Sequence, residues 1–166
     1  MNLARLIKPE LIRMELHTQM PPEPEEPFNR ARFTWSIKEA VLTELGELIA
    51  ESGRVGSSHR LCTDLINREK KATTGIGQGI AIPHVRTREA REFIMAFARS
   101  GPGIEFDSLD GGPTHLFFVF VAPPYDDTLY LRIYKQMAEA FTYRNAAGLF
   151  MRAQNEGEVL RALKSL

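Results

Sequence analysis

The stretch Leu116-Phe117-Phe118-Val119-Phe120-Val121-Ala122 constrains this chain more than any other. It is seven apolar residues in a row, preceded by Pro113 and closed by Pro123-Pro124. It is far too short to cross a membrane, and its aromatic and β-branched content favours a strand over a helix. Lacking polar alternation, it must be covered on both faces. Phe93 to Ala98 has the same character, and Gly79 to Ile82 is a third, shorter apolar run. Turn signals separate them, at Gly101-Pro102-Gly103 and Asp110-Gly111-Gly112-Pro113.

The covering layers come from segments of helical period. Ser36 and Glu39 form a Ser-x-x-Glu capping box ahead of Ile37, Val41, Leu42, Leu45, Leu48 and Ile49, and Gly53 supplies the stop. A second helix is expected from Ser57 or Ser58 to about Asn67, burying Leu61, Leu65 and Ile66 and carrying Arg68 at its end. A third begins near Asp127, capped by Asp126 or Asp127, with Leu129, Ile133, Met137, Ala140 and Phe141 on one stripe. A fourth opens at Asn155 with Glu158 as the returning acid. The order is not strictly strand-helix-strand. The expected fold is therefore an α/β three-layer domain, a mixed β-sheet with helices on both faces.

Residues 20–27 read Met-Pro-Pro-Glu-Pro-Glu-Glu-Pro, where prolines remove donors and restrain their predecessors. The expected organisation is an N-terminal segment, 1–19, that docks as a strand; a Pro/Glu-rich insertion, 20–35; and a main body, 36–166. With 21 basic and 21 acidic residues there is no net charge to draw the whole chain to nucleic acid or an anionic membrane. Arg5, Lys8 and Pro9 interrupt the first apolar residues before a signal-peptide core can form, so a cytoplasmic location without membrane insertion is expected. The single cysteine, Cys62, sits on an apolar helical rhythm and reads as a small buried residue.

Chemistry concentrates in Thr74-Gly75-Ile76-Gly77-Gln78-Gly79-Ile80-Ala81-Ile82-Pro83-His84. Thr74, Gly75, Gly77 and Gly79 allow tight turning and close approach, which suits a phosphate-contacting loop. They match neither nucleotide fingerprint, because no Gly-Lys-Ser/Thr follows and the glycines precede the strand. His84 follows a proline at a short strand's end, a position at the sheet rim where an imidazole is expected to stay outside the core. At neutral pH it can act as a nucleophile if one ring nitrogen is unprotonated and the other is held by a hydrogen bond. His115 reads as a strand-end hydrogen-bonding residue, and His17 and His59 as surface residues. Asp107 and Asp110, among turn glycines, read as backbone caps. No spacing proposes a metal site.

Arg68-Glu69 followed by Thr73 to His84 resembles the signature of the type-2 enzyme IIA domains of the phosphoenolpyruvate-dependent sugar phosphotransferase system, the fructose, mannitol and nitrogen-regulatory family. Similarity continues in Ile104-Glu105-Phe106-Asp107-Ser108-Leu109-Asp110, in Pro113, and in Val121-Ala122-Pro123, so that it spans nearly everything from Ile37 to Leu166. The resemblance implies a histidine phosphoryl carrier without cofactor or metal. His84 would accept a phosphoryl group from an HPr-like phosphocarrier and pass it to a permease IIB domain, or its phosphorylation would govern binding to a regulated protein. Arg68 matches an arginine beside the family's phosphorylation site, where a guanidinium offsets phosphoryl charge.

Two departures accompany the match. Tyr130, in Tyr130-Leu131-Arg132-Ile133, stands where the family has a second active-site histidine, and a phenol cannot carry the positive charge of an imidazolium. Arg132, two positions on, points in another direction on a helix. Val85 replaces the family's small residue after the active histidine and would hinder close approach of a donor. The alternative function is thus a binding module that kept the fold and lost phosphotransfer.

Overall fold

The structure, a computed structural model, describes residues 1–126 and 128–166. Its centre is the antiparallel pair β5 (Ile94–Ile104) and β6 (Thr114–Ala122). A strand from the N-terminal segment, β1 (Ile7–Arg13), adds to β5 in parallel. On the other side of β6 lie β2 (Gly75–Gly77), β3 (Ile80–Ala81) and β4 (His84–Arg86). The sheet runs β1-β5-β6-β3-β2, with β4 also on β6, and mixes parallel and antiparallel neighbours.

β3 and β4 are two halves of one strand position. Ile80 pairs with Leu116 and His84 with Phe120, so a single parallel register runs along β6. Pro83 interrupts it: lacking an N–H, it can only accept, and its carbonyl takes the Phe120 N–H at 3.1 Å.

Every residue of β6 from Leu116 to Ala122 is buried. Alternation sorts these side chains between the two faces. Phe118 meets Phe141 and Phe150 at 4.9 and 5.1 Å between ring centroids, from α3 (Thr128–Tyr143) and α4 (Ala147–Arg152). Phe117 meets Phe106 at 5.2 Å. Each fully buried ring contributes about 2 kcal/mol of transfer free energy. α1 (Arg30–Ala50) packs on β5 and on α2 (Ser58–Lys71), α2 packs on β4, and α5 (Glu156–Ser165) packs on β1. α1 and α2 approach closely at Gly46, where a Cβ would stand 2.5 Å from the buried Cys62 sulfur.

α1 begins at Arg30, seven residues before the start expected from a cap at Ser36, and inside the segment assigned to an insertion. Asn29 is its cap, accepting from the Arg32 N–H at 3.0 Å, and Phe28 packs edge-on against Phe33 at 5.6 Å as a hydrophobic staple. Ser36 instead donates to the Phe33 carbonyl and Glu39 accepts from the Trp35 indole, so these two are interior residues and no cap. α2 extends beyond Asn67 to Lys71, and α4 and β4 were not expected. Asp126 caps α3 through the Leu129 N–H at 3.1 Å; Asp127 lies outside the described residues. Asn155 caps α5 as expected, while Glu158 accepts from Gln154, one residue upstream of the expected donor. Among the described residues no helix is long and apolar enough to cross a membrane.

Candidate functional site

His84 opens β4, held beside Phe120 by the strand register. Its ring stacks on Phe120 at 5.3 Å and meets Tyr130 at 5.3 Å and Tyr134 at 4.8 Å. Only 7 % of the residue is exposed. The expectation of an unburied histidine at the rim is therefore corrected. The position is at the rim, but α3 folds two tyrosines over it, a tertiary contact that strand position alone does not reveal.

Burial has a chemical result. Desolvation lowers the His84 pKa to about 4, helped by the Arg68 charge and opposed by the Ile82 hydrogen bond and by Glu69. The ring is then neutral at neutral pH. Nδ1 lies 2.5 Å from the Ile82 carbonyl oxygen, which can only accept, so Nδ1 carries the proton and Nε2 keeps its lone pair. The orienting group absent from the sequence reading is thus a backbone carbonyl two residues upstream.

Beside β4 a cleft of about 940 Å³ opens along α2, from His59 to Lys71, and reaches the start of α3 at Tyr130. Its walls include Arg68, Lys71, Val85, Arg86, Arg88 and Tyr130. The imidazole is not among them, but its neighbour Tyr130 lines the cleft. The bordering carboxylates are already engaged: Asp64 accepts from Thr87 at 2.6 Å, and Glu89 accepts from Ser57 at 3.1 Å. The surplus of cations suits an anionic group.

Arg68 stands at the end of α2, with one nitrogen donating to the Ala72 carbonyl at 3.1 Å. Tyr130 is 7 % exposed, and burial raises its pKa while Arg68 and Arg86 pull it down. The phenol stays protonated at neutral pH and can donate one hydrogen bond. Arg86, whose guanidinium lies 5.2 Å from the Tyr130 ring centroid, was missed. Strand alternation could have found it, since residues two apart on β4 share a face. Tyr134, four residues after Tyr130, could likewise have been found from helical period. Arg132 is exposed and does not figure among the charges that shift His84. Val85 is half-buried in the cleft wall.

The glycine loop goes elsewhere. Neither Thr74 nor Gly75, Gly77 or Gly79 lines the cleft. Gly75 abuts the 106–110 loop, where a Cβ would be 3.0 Å from Ser108 Cα. Gly77 adopts φ +95° beside Asp110, which accepts from the Gln78 and Gly112 N–H groups. The Gly79 carbonyl accepts from His115 and Leu116. Thr74 gives both its N–H and its hydroxyl to Glu69, at 2.8 and 2.7 Å. The Thr74 N–H and hydroxyl, the Gly75 N–H and the Gly79 carbonyl are thus engaged in internal bonds, away from the cleft. His115, bonded to the Ser100 carbonyl, behaves as a strand-end residue. Among the described residues, no three His, Cys, Asp or Glu side chains gather as a metal site.

Comparison with known proteins agrees with this arrangement. Residues 30–166 match the family model described as phosphoenolpyruvate-dependent sugar phosphotransferase system, EIIA 2. The fructose-specific EIIA component of Haloferax volcanii is 32 % identical over 124 residues, which is 75 % of this chain and 80 % of that protein. The fructose-specific EIIABC component of Bacillus subtilis is 29 % identical over 123 residues, 74 % of this chain but 19 % of that protein, so the chain spans about a fifth of this relative's length. In structure, the nitrogen regulatory protein IIA-Ntr of Neisseria meningitidis shares the fold with a TM-score of 0.80 at 24 % identity, covering 97 % of this chain and 98 % of that one. Enzyme IIA-mannitol of Escherichia coli, solved in complex with phosphorylated enzyme IIB-mannitol, shares it with a TM-score of 0.70 at 16 % identity, covering 96 % and 98 %. With most of its length inside the family model and the family's three-layer fold around His84, this chain belongs to the EIIA 2 family of the phosphoenolpyruvate-dependent sugar phosphotransferase system.

Proposed function

We propose that His84 accepts a phosphoryl group from an HPr-type phosphocarrier and passes it to a permease IIB domain or, by carrying it, regulates a partner protein. The observation that carries this reading is the His84 ring itself, neutral, with Nδ1 tied to the Ile82 carbonyl and Nε2 left as a nucleophile. Family membership supports it.

In the transfer, the Nε2 lone pair forms a bond to phosphorus while the bond between phosphorus and the donor's leaving nitrogen breaks, and that nitrogen keeps the electron pair. The His84 ring becomes cationic; its proton stays on Nδ1, which donates to the Ile82 carbonyl, and that bond stabilises the new charge. Arg68 offsets the negative charge on the phosphoryl oxygens, and the Tyr130 hydroxyl donates to one of them. Such exchange needs positioning and electrostatics more than covalent help from the protein. Both partners of the carrier would meet it in the cytoplasm. The neutral buried imidazole favours this reading over a module that has lost phosphotransfer, despite Tyr130 and Val85.

The test is incubation with phosphoenolpyruvate, enzyme I and an HPr-type protein, followed by intact mass measurement. An acid-labile phosphoryl adduct is expected on the native chain and not on His84→Ala. No adduct with components validated on another IIA protein would overturn the proposal, and an adduct that persists in His84→Ala would place the acceptor elsewhere.

A further inference from the structure

Arg68 and Glu69 are consecutive on α2 and face opposite ways. Arg68 borders the cleft, whereas the Glu69 side chain is wholly buried and forms an ion pair with Lys38 of α1 at 2.8 Å, the two side chains being 0 % and 3 % exposed. The Glu69 oxygens also accept the Thr74 N–H and hydroxyl. From Thr74 the bonding continues toward the reactive ring. The Thr74 carbonyl accepts the Ile82 N–H at 3.0 Å, and the Ile82 carbonyl accepts the His84 Nδ1 proton. Lys38 is further fixed by the Thr73 hydroxyl at 3.3 Å and by the Phe106 ring at 4.9 Å.

An ion pair withdrawn from water is a poor source of stability, because desolvating two charges offsets most of their attraction. What it does supply is direction: a buried carboxylate with fixed donors holds its neighbours in one arrangement. Here the neighbours are the residue that carries the site's guanidinium and the loop that leads to its nucleophile. A hydrocarbon pair would fill the same space without orienting either.

We infer that Lys38, Glu69 and Thr74 are positioning residues of the His84 site. They anchor the end of α2 from which Arg68 projects, and through Ile82 they hold the His84 ring with its proton on Nδ1. The inference rests on the proposed role of His84, but its primary readout needs no phosphoryl donor.

The experiment records the nitrogen–proton correlation spectrum of the His84 ring in the full chain at neutral pH. It compares the native protein with the double variant Lys38→Met/Glu69→Gln, which removes both buried charges together, and with the near-isosteric Thr74→Val. The native ring is expected to show one tautomer, protonated on Nδ1. Both variants are expected to share the proton between the two ring nitrogens and to accept phosphoryl groups about tenfold more slowly. Thr74→Ser, which keeps the hydroxyl, is expected to retain the native spectrum.

A folded double variant or Thr74→Val that keeps the single native tautomer and the native rate would overturn the inference. If the double variant does not fold, Thr74→Val decides. Should Thr74→Ser behave like Thr74→Val, packing of the methyl group holds the ring and the inference falls. A chain that shows the tautomer change but takes no phosphoryl group from a validated donor would sink the proposed function and leave the positioning network standing.

Discussion

Two short stretches on the same side of the central strand, 74–79 and 84–86, make opposite use of their backbone. In the first, glycines and a threonine close on the rest of the protein: Gly75 on Ser108, Gly77 and Gln78 on Asp110, Thr74 on Glu69. In the second, pairing with β6 occupies the backbone and leaves His84 and Arg86 to face α3 and the cleft. Glycine-rich loops and reactive residues that adjoin in sequence thus need not share a ligand. One shapes the support, and the other holds the proposed phosphoryl acceptor.

The sharpest way to break this comparison is to remove a charge from the cleft. Arg68→Ala is expected to lower the phosphoryl acceptance rate by about 10² to 10³, the usual cost of losing one preorganised stabilising group. Stability should fall by no more than about 1 kcal/mol, for the lost bond to Ala72. Rapid-quench kinetics and thermal melts check the two halves. A rate within a factor of two of native would separate the cleft from the chemistry.

A second prediction uses the His84 burial. Its folded pKa of about 4 lies below the ordinary histidine value, so the unfolded chain binds a proton first as pH falls. The stability contributed by the neutral ring is complete above about pH 6.5 and is lost as pH falls through about 4, a span worth about 3 kcal/mol. Denaturant titrations between these pH values should show a smaller loss for His84→Gln. Equal losses in both proteins would mean that the imidazole is solvated.

The smallest of the three effects concerns the loop. Gly77→Ala forces a side chain to φ +95°, with its Cβ 3.2 Å from Asp110, and should cost about 1 to 3 kcal/mol of stability. Transfer rate per folded molecule should not change. A drop in rate beyond the folded fraction would bring the loop into the site after all.

Much of the frame was legible because local pattern and tertiary role coincide. The run from Leu116 to Ala122 is apolar without interruption because both faces of β6 are covered, and Asn155 caps α5 by accepting from the Glu158 N–H, as its spacing in sequence suggests. The start of α1 was misplaced because Ser36 and Glu39 satisfy a capping pattern in the helix interior, while the true cap, Asn29, is marked by a Phe28–Phe33 contact that spacing alone does not single out. At the site, the position of His84 and the approach of Arg68 followed from the motif. Its burial did not, since the rings of Tyr130 and Tyr134 arrive from a helix more than forty residues away in sequence. Arg86 escaped because β4 was not expected as a strand, so the face it shares with His84 went unread.

The aromatic enclosure of His84 also bears on time. A phosphoryl group bound to nitrogen is lost to any water that reaches it, and Phe120, Tyr130 and Tyr134 leave little room for water around that ring. Leakage between encounters would therefore be slow, and the charged form would outlast the collision that created it. Under the proposed function, a protein so enclosed would keep a record of whether its donor was recently loaded, for partners that arrive later to read.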